Sequence, residues 1–397
     1  MVSTNLGPDL IDSSYNGIEN ILRYASGGYH PIVLGDTLVG HVSSYRILHK
    51  LGHGEYATAW LAEDTSSRRL VAMKISTANE YARAGMAEAR MLRIAQGHSS
   101  VVTLLDDFTV DGPNGTHSVL ACEVVTPVVA FWSNSEPQSP AWHKALARGL
   151  VKGVAQLHEK SIVHGDLHIG NVGVAFADNL KLDSDVVMQR LKQPELIVLP
   201  QNTDGQTTSL PTYLVVPCAN FADLYDSLAG APLPIAKIFD FGAAHLAGRL
   251  PRAFQCASDA CAPEIAFARV AQSTENPPVE PPSDVWALGT LIYYLYARSS
   301  LFSCSTEVEL LVDMSRLAGG SPLAWTAALP KTADATPASA DAKWANHRAK
   351  LRSACVNDED ADALAAMLRR ILVLDPDARP TATQLLSDPW LYERTLT

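Results

Sequence analysis

The sequence predicts an α+β chain in two lobes. A small strand-rich lobe covers residues 45–125, and a larger, mainly helical lobe covers 126–397. Three observations predict this. Between 45 and 125 the apolar residues fall in short alternating runs split by turn residues. After residue 126 long segments with helical periodicity dominate. The chain has 397 residues, too many for one hydrophobic core, so at least two compact bodies are expected.

The elements follow in order. Residues 1–44 are rich in Gly, Ser and Tyr and weakly periodic, and read as an N-terminal extension that packs on a body as an extended arm. "YRILHKLG", "ATAWLAED" and "RRLVAMKIS" read as consecutive antiparallel strands split by Gly54 and by "DTSSRR". "ANEYARAGMAEARMLRIAQG" reads as a helix ending at Gly97. "VVTLLDDFTV" and "HSVLACEVV" flank a "DGPNG" turn and read as a hairpin. After "TPVVAF", "PAWHKALARGLVKGVAQLHEKS" reads as a long amphipathic helix. Residues 175–236 are rich in Pro, Asp, Gln and Thr and read as an insertion with a short helix at 184–192 and a strand at 213–217. Helices are expected at 282–297 and 305–318, a Pro/Ala/Thr-rich loop at 330–341, and further helices at 343–355 and 358–373. There is no internal repeat.

Composition narrows the function classes. Hydrophobic residues make up 47% and charged residues 18%, as in ordinary globular proteins. The net charge of −11 disfavours direct nucleic-acid binding and permits a basic partner. Cysteines 122, 218, 256, 261, 304 and 355 form no CxxC pair and read as reduced thiols; Cys256 and Cys261 lack a second pair to complete a tetrahedral metal site. The N-terminus lacks the basic and apolar regions of a secretory signal, and the run at 285–297 is too short to span a bilayer. A cytoplasmic or nuclear monomer with no membrane association is expected.

Several residues could carry chemistry. Gly52 and Gly54 in "LGHGEYA" would let backbone N–H groups approach phosphates, although a third glycine is absent and Ala57 stands there. Lys74 sits in the apolar strand "VAMK", where a cation calls for an anion, and Glu88 on the next helix is its natural partner. "IVHGDLHIGN" (162–171) supplies Asp166 as a base and Asn171 as an oxygen ligand. "KIFDFGAA" supplies Asp240, an acid after an apolar strand that is costly to bury unless it meets a cation. Asn171 and Asp240 offer the all-oxygen ligation that Mg²⁺ prefers. Taken singly, these are equally a glycine hairpin, a snorkelling lysine and solvated acids.

The order Gly-loop, Lys74, Glu88, Asp166, Asn171, Asp240 resembles the protein-kinase signature set. "CAPE" (261–264), "DVWALG" (284–289) and "DPDARPTATQLLSDPW" (375–390) resemble its later elements. The resemblance covers residues 45–391 and implies a two-lobed protein-kinase fold with ATP and Mg²⁺. It places Leu51, Gly52, Gly54, Ala59, Ala72, Lys74 and the backbone of Glu123–Val125 around the nucleotide, with Cys122 at the gatekeeper position. It makes Asp166, Lys74, Glu88 and His168 catalytic and Asn171 and Asp240 metal ligands. It also implies that Glu264 pairs with Arg379 and that Asp284 holds the catalytic loop. "YASGGYHPIVLGDTL" (24–38) and the 68 residues between Asn171 and Asp240 resemble fungal SR-protein-kinase-like serine/threonine kinases. That likeness implies basic, Arg/Ser-rich protein substrates.

The chain departs from the kinase pattern at named positions. His168 stands where Lys is usual, Gly165 for Arg, Ala257 for Thr, Ala59 for Val and Gly173 for an aliphatic residue. The thinner pocket predicts weakened ATP affinity or an enlarged nucleotide pocket, and the lost Arg predicts a constitutive conformation with no role for Ser258. Two other readings stand beside an active kinase. One is a pseudokinase-like scaffold with weak or no catalysis. The other is a small-molecule phosphotransferase, whose loop is similar to "HGDLHIGN" but which lacks A-P-E and D-x-W-x-x-G. "NDEDAD" (357–362) is either an acidic docking surface or an acidic helix N-terminus.

Overall fold

The computed structural model describes residues 17–78, 80–133, 138–176, 184–199, 209–218, 220–229, 233–249, 257, 259–271, 279–325, 329 and 335–392. Ser258, Cys256 and the first 16 residues of the N-terminal extension lie outside them. The described residues of 1–97, 102–126 and 175–231 form one compact unit, and those of 98–101, 127–174 and 232–397 form another.

The first unit is built on a six-stranded sheet. Its strands are β1 (Thr37–Val39), β2 (Ser44–His53), β3 (Ala57–Asp64), β4 (Leu70–Ser76), β5 (Leu104–Gly112) and β6 (Gly115–Cys122), in the order β1-β2-β3-β4-β6-β5 with every pairing antiparallel. Side chains alternate across a strand, so the two faces of the sheet differ. Tyr45, Ile47, Trp60, Ala62, Val71, Met73, Ile75, Val119 and Ala121 share one face and form the core. Ala59, Ala72, Lys74 and Cys122 share the other, less buried face. Helix α1 (Glu80–Ala95) follows β4, and Gly97 ends it in the left-handed region at φ 91°.

Residues 184–229 pack within this strand-rich unit. They contain a helix (Ser184–Arg190), an antiparallel strand pair (Leu196–Val198 with Tyr213–Val215) and a second helix (Phe221–Ala229). Val215 joins the sheet's core, with Leu196 and Tyr213 partly buried against it. The Tyr213 hydroxyl accepts from the Leu34 N–H at 2.9 Å, and Arg68 pairs with Asp185 at 2.9 Å. The sequence showed the short helix and the second strand of this segment. It did not show the first strand or the second helix.

The second unit is helical. Helix Pro140–Glu159 starts on a Ser139 cap and buries Leu146, Leu150, Val154 and Leu157 along one stripe. Helix Pro281–Ala297 is buried nearly all round, from Ser283 to Tyr296. Glu307–Ala318 begins with a Thr306–Glu309 capping box. The next helix is Pro337–Leu351, so it begins inside the loop expected at 330–341. Thr336 and Ser339 form a reciprocal cap, and Pro337 is tolerated in the first turn because no helical N–H is needed there. Among the described residues no helix is long and apolar enough to cross a membrane.

Asn357 caps the helix Asp358–Ile371, and the three aspartates of "NDEDAD" pair with basic residues of the same unit. Asp362 pairs with Arg348 at 2.8 Å, Asp358 with Arg348 and Arg352, and Asp360 with Lys144 at 2.7 Å. Asp360 also accepts from the indole N–H of Trp390. These residues form a braced helix N-terminus.

Arg379 is fully buried and forks onto Glu264 at 2.6 and 3.0 Å. It also donates to the carbonyls of Val373, Leu374 and Pro282, with its guanidinium over the Trp286 ring. Truncating Arg379 strands Glu264 and these carbonyls. Arg379→Ala should therefore lose about 3–5 kcal/mol of stability, read as a lower urea midpoint with an unchanged slope.

Candidate functional site

Candidate residues lie in both units. In the first unit Gly52 pairs across the sheet with Ala59, and Ala59 with Lys74. One pair further along, Leu61 faces Ala72 and Ala72 faces Cys122. Register therefore sets Gly52, Ala59, Ala72 and Lys74 side by side on the face opposite the core, with Leu51 directly before Gly52 on β2. The Lys74 ammonium donates to both Glu88 oxygens at 2.9 Å, joining β4 to α1. Burial pushes the Cys122 thiol up to about 12, so it stays protonated and unreactive. Beyond it, Glu123 donates its N–H to the Thr103 carbonyl, while its carboxylate accepts from the Thr103 N–H and hydroxyl. This fixes the start of the segment Glu123–Val125.

In the second unit the loop His164–Asn171 is built around Asp284. The Asp284 carboxylate accepts from the N–H groups of His164 at 2.7 Å and Gly165 at 2.9 Å, and lies 3.1 Å from His158 Nε2. Burial alone would raise this carboxyl. The hydrogen bond and charge of His158, the charge of His164 and the Gly165 N–H outweigh it and hold Asp284 below the usual carboxylate range. Gly165 has φ +77°, and a Cβ there would lie 3.1 Å from the Ala243 carbonyl oxygen. The loop thus has its own backbone reason for glycine where kinases usually carry Arg.

Asp166, His168 and Asn171 come together. The Asn171 amide donates to the Asp166 carbonyl at 2.8 Å and reaches its carboxylate at 3.4 Å. His168 caps the short helix Ile169–Asn171, its Nδ1 accepting the Gly170 N–H at 3.1 Å. That contact assigns the proton of a neutral imidazole to Nε2, which lies 3.7 Å from an Asp166 carboxylate oxygen. Gly170 makes this possible, because a Cβ there would sit 2.8 Å from the His168 ring. Burial raises the Asp166 carboxyl. His168, His164 and a backbone hydrogen bond from Ala257 lower it, Asp240 raises it further, and the net shift is upward. The Ala257 backbone thus reaches the acid although its side chain has no hydroxyl. Gly173 is buried in the strand Val172–Ala175, beside Ile235–Ile238.

Asp240 adopts a left-handed backbone at φ 63°, unusual for a non-glycine residue. Its carboxylate accepts from the Gly242 N–H at 3.3 Å. The residues fit a divalent cation. Asp166 and Asp240 are close enough to raise one another's cost of ionisation, a field that a cation relieves. The Asn171 amide nitrogen is turned to Asp166, leaving its hard oxygen as a donor. Among the described residues no group of three or more His, Cys, Asp or Glu could hold a metal alone.

Comparison with known proteins identifies the architecture. The protein kinase domain family matches residues 45–186 and 226–391. The chain belongs to the protein kinase domain family. The unmatched stretch falls inside residues 175–236, the segment that reads as an insertion. Among solved structures, a kinase-domain crystal structure aligns with a TM-score of 0.60 at 18% identity, covering 91% of this chain and 98% of that one. The kinase is 30% identical to SRSF protein kinase 3 of Homo sapiens over 43% of this chain and 31% of that protein. It is 35% identical to serine/threonine-protein kinase spk-1 of Caenorhabditis elegans over 38% and 16%. With serine/threonine-protein kinase SRPK of Physarum polycephalum it shares 26% identity over 97% of this chain and 93% of that protein. The chain thus spans a third or less of the human and nematode relatives.

Three contributors escaped the sequence reading. His158 is one turn short of the motif on a long helix, Gly170 looked like a spacer, and Ala257 acts through its backbone.

The raised Asp166 carboxyl makes a pH prediction. An unfolded Asp titrates at about 3.9, so below that value both states are protonated and the shift has no effect on stability. Between that value and the raised folded one the unfolded state loses its proton while the folded state keeps it, so stability falls across this window and the full loss is reached above the folded value. Asp166→Asn should therefore raise the melting temperature at neutral pH, with the gain shrinking as the medium is acidified. Calorimetry across pH checks it; a gain that grows towards acid would contradict it.

Proposed function

We propose that this kinase is a serine/threonine protein kinase that transfers the γ-phosphoryl group of ATP to hydroxyls of basic, Arg/Ser-rich proteins, acting as a cytoplasmic or nuclear monomer. The observation that carries this reading is the loop around Asp166: an acid with a raised pKa, held by Asn171, faced by His168 and anchored through Asp284. A carboxyl whose pKa lies above its usual value is a stronger acceptor for a hydroxyl proton as transfer proceeds.

The substrate oxygen forms a bond to the γ-phosphorus, the bond to the β,γ-bridging oxygen breaks, ADP leaves, and Asp166 takes the hydroxyl proton. Lys74, held by Glu88, would position the α- and β-phosphates, and the turn at Gly52 and Gly54 would cover them. Leu51, Ala59 and Ala72 would flank the base, with the backbone of Glu123–Val125 hydrogen-bonding it. Mg²⁺ held by Asn171 and Asp240 would neutralise phosphate charge. The His168 Nε2–H would donate to a transferring phosphoryl oxygen, giving direction without the full charge of lysine.

The names of the relatives support a protein substrate, and the net charge of −11 suits a basic one. The pseudokinase reading has less support. Lys74–Glu88 is formed, and the Ala257 backbone and His168 brace Asp166 where the usual Thr and Lys are missing. The Glu264–Arg379 brace disfavours a small-molecule phosphotransferase, whose known motif set lacks that element.

Phosphotransfer from labelled ATP should label an Arg/Ser-repeat peptide and not small alcohols, and Asp166→Ala should abolish it. Labelling of alcohols alone, or labelling that survives in Asp166→Ala, would overturn the proposal. In the same assay His168→Ala should lower kcat about 10- to 100-fold with KM for ATP nearly unchanged, since a single donor to the transferring group acts mainly in the transition state.

A further inference from the structure

The glycine-rich turn is held by the N-terminal arm. Tyr29 is buried, and its hydroxyl donates to the Gly54 carbonyl at 2.7 Å. The Gly54 N–H closes the turn onto the Ala57 carbonyl at 2.8 Å. Both backbone groups of Gly54 are therefore committed. The peptide that links Gly54 to Glu55 is planar and trans, so its N–H points opposite to its carbonyl. With the carbonyl turned to Tyr29, the Glu55 N–H is turned to the other side of the turn.

A second observation concerns the space around the turn. Neither Gly52 nor Gly54 has a positive φ, and a Cβ built on either meets nothing within 4 Å. The fold itself does not need glycine at these two positions. Glycine there leaves room for a group that comes close to the backbone.

The arm is firmly seated. Glu19 pairs with Lys50 on β2, and both side chains are fully buried. The Tyr24 hydroxyl donates to Glu19 at 2.5 Å, and His53 Nε2 lies 2.8 Å from the Gly17 carbonyl oxygen. Ile18, Tyr24 and Tyr29 form one apolar cluster with Leu199 and Leu214 of the inserted segment. Such an anchor would not be spent on a free-swinging loop; it gives Tyr29 a fixed place from which to hold Gly54.

We propose that Tyr29 is a positioning residue for nucleotide phosphates, fixing the Gly54–Glu55 peptide so that the Glu55 N–H is presented as an anion donor. The inference rests on the ATP-dependent function proposed above. Tyr29→Phe keeps the ring in its cluster and removes only the hydroxyl, so the fold should survive.

Calorimetric titration of the full chain with MgATP and, separately, with adenosine tests it. Tyr29→Phe should weaken MgATP binding about three- to tenfold, the range of one neutral hydrogen bond, and leave adenosine affinity unchanged, with the melting temperature lowered by no more than about a few degrees. Equal weakening for both ligands would mean a general structural role and would overturn the inference. So would an unchanged MgATP affinity in a variant whose parent binds MgATP. A parent that binds no MgATP at all would overturn the functional reading and this inference with it.

Discussion

The buried carboxylate of Asp284 is the interaction on which the catalytic loop depends. A charge taken out of water costs several kcal/mol unless donors replace the lost solvent. Here the donors are the N–H groups of His164 and Gly165 together with His158. The loop's shape and the acid's satisfaction are therefore the same fact. Asp284 lies on the first turn of the buried helix Pro281–Ala297. That turn is tied down by Ser283 bonding to Glu264, and Glu264 by Arg379. A chain of charged contacts thus runs from the closing arginine motif to the backbone just ahead of Asp166.

The departures from the usual kinase residues become intelligible along this chain. Gly165 is required by its left-handed backbone and by the Ala243 carbonyl, so its presence says more about loop geometry than about lost regulation. His168 is locked by the Gly170 N–H, which fixes its tautomer and turns Nε2–H towards Asp166. Ala257 reaches Asp166 through its backbone. A lysine and a threonine hydroxyl are replaced by an imidazole and a peptide N–H. These are weaker in charge but more rigid, since neither needs a long side chain held in one rotamer.

Much of this was legible in the sequence because the decisive signals are local. Strand alternation gave β2 to β6, and the spaced motifs pointed to the Lys74–Glu88 and Glu264–Arg379 pairs that the structure forms at 2.9 and 2.6 Å. What the sequence did not reveal depends on contacts between distant segments. Residues 184–229 follow the catalytic loop in sequence yet bury Val215 in the core of the strand-rich sheet. The first turns of the helix from Pro337, expected only from 343, were hidden because Thr, Pro, Ala and Ser look like a loop until the reciprocal cap is recognised. The His158 contact to Asp284 spans 126 positions, beyond any local pattern. Of the two readings of the acids at 357–362, the helix N-terminus is visible in the structure, and its ion pairs with Arg348, Arg352 and Lys144 join segments too distant for a local pattern to show.

Asp284 orients the loop to which phosphoryl transfer is assigned above. The most direct measurement is single-turnover phosphoryl transfer by Asp284→Asn, set beside its MgATP dissociation constant. The amide still fills the site but cannot accept both loop N–H groups as a carboxylate does. Transfer should slow about 100-fold, the scale of a small misplacement of reacting groups, while nucleotide affinity stays close to that of the parent. A folded variant that transfers phosphate as fast as the parent would contradict the account.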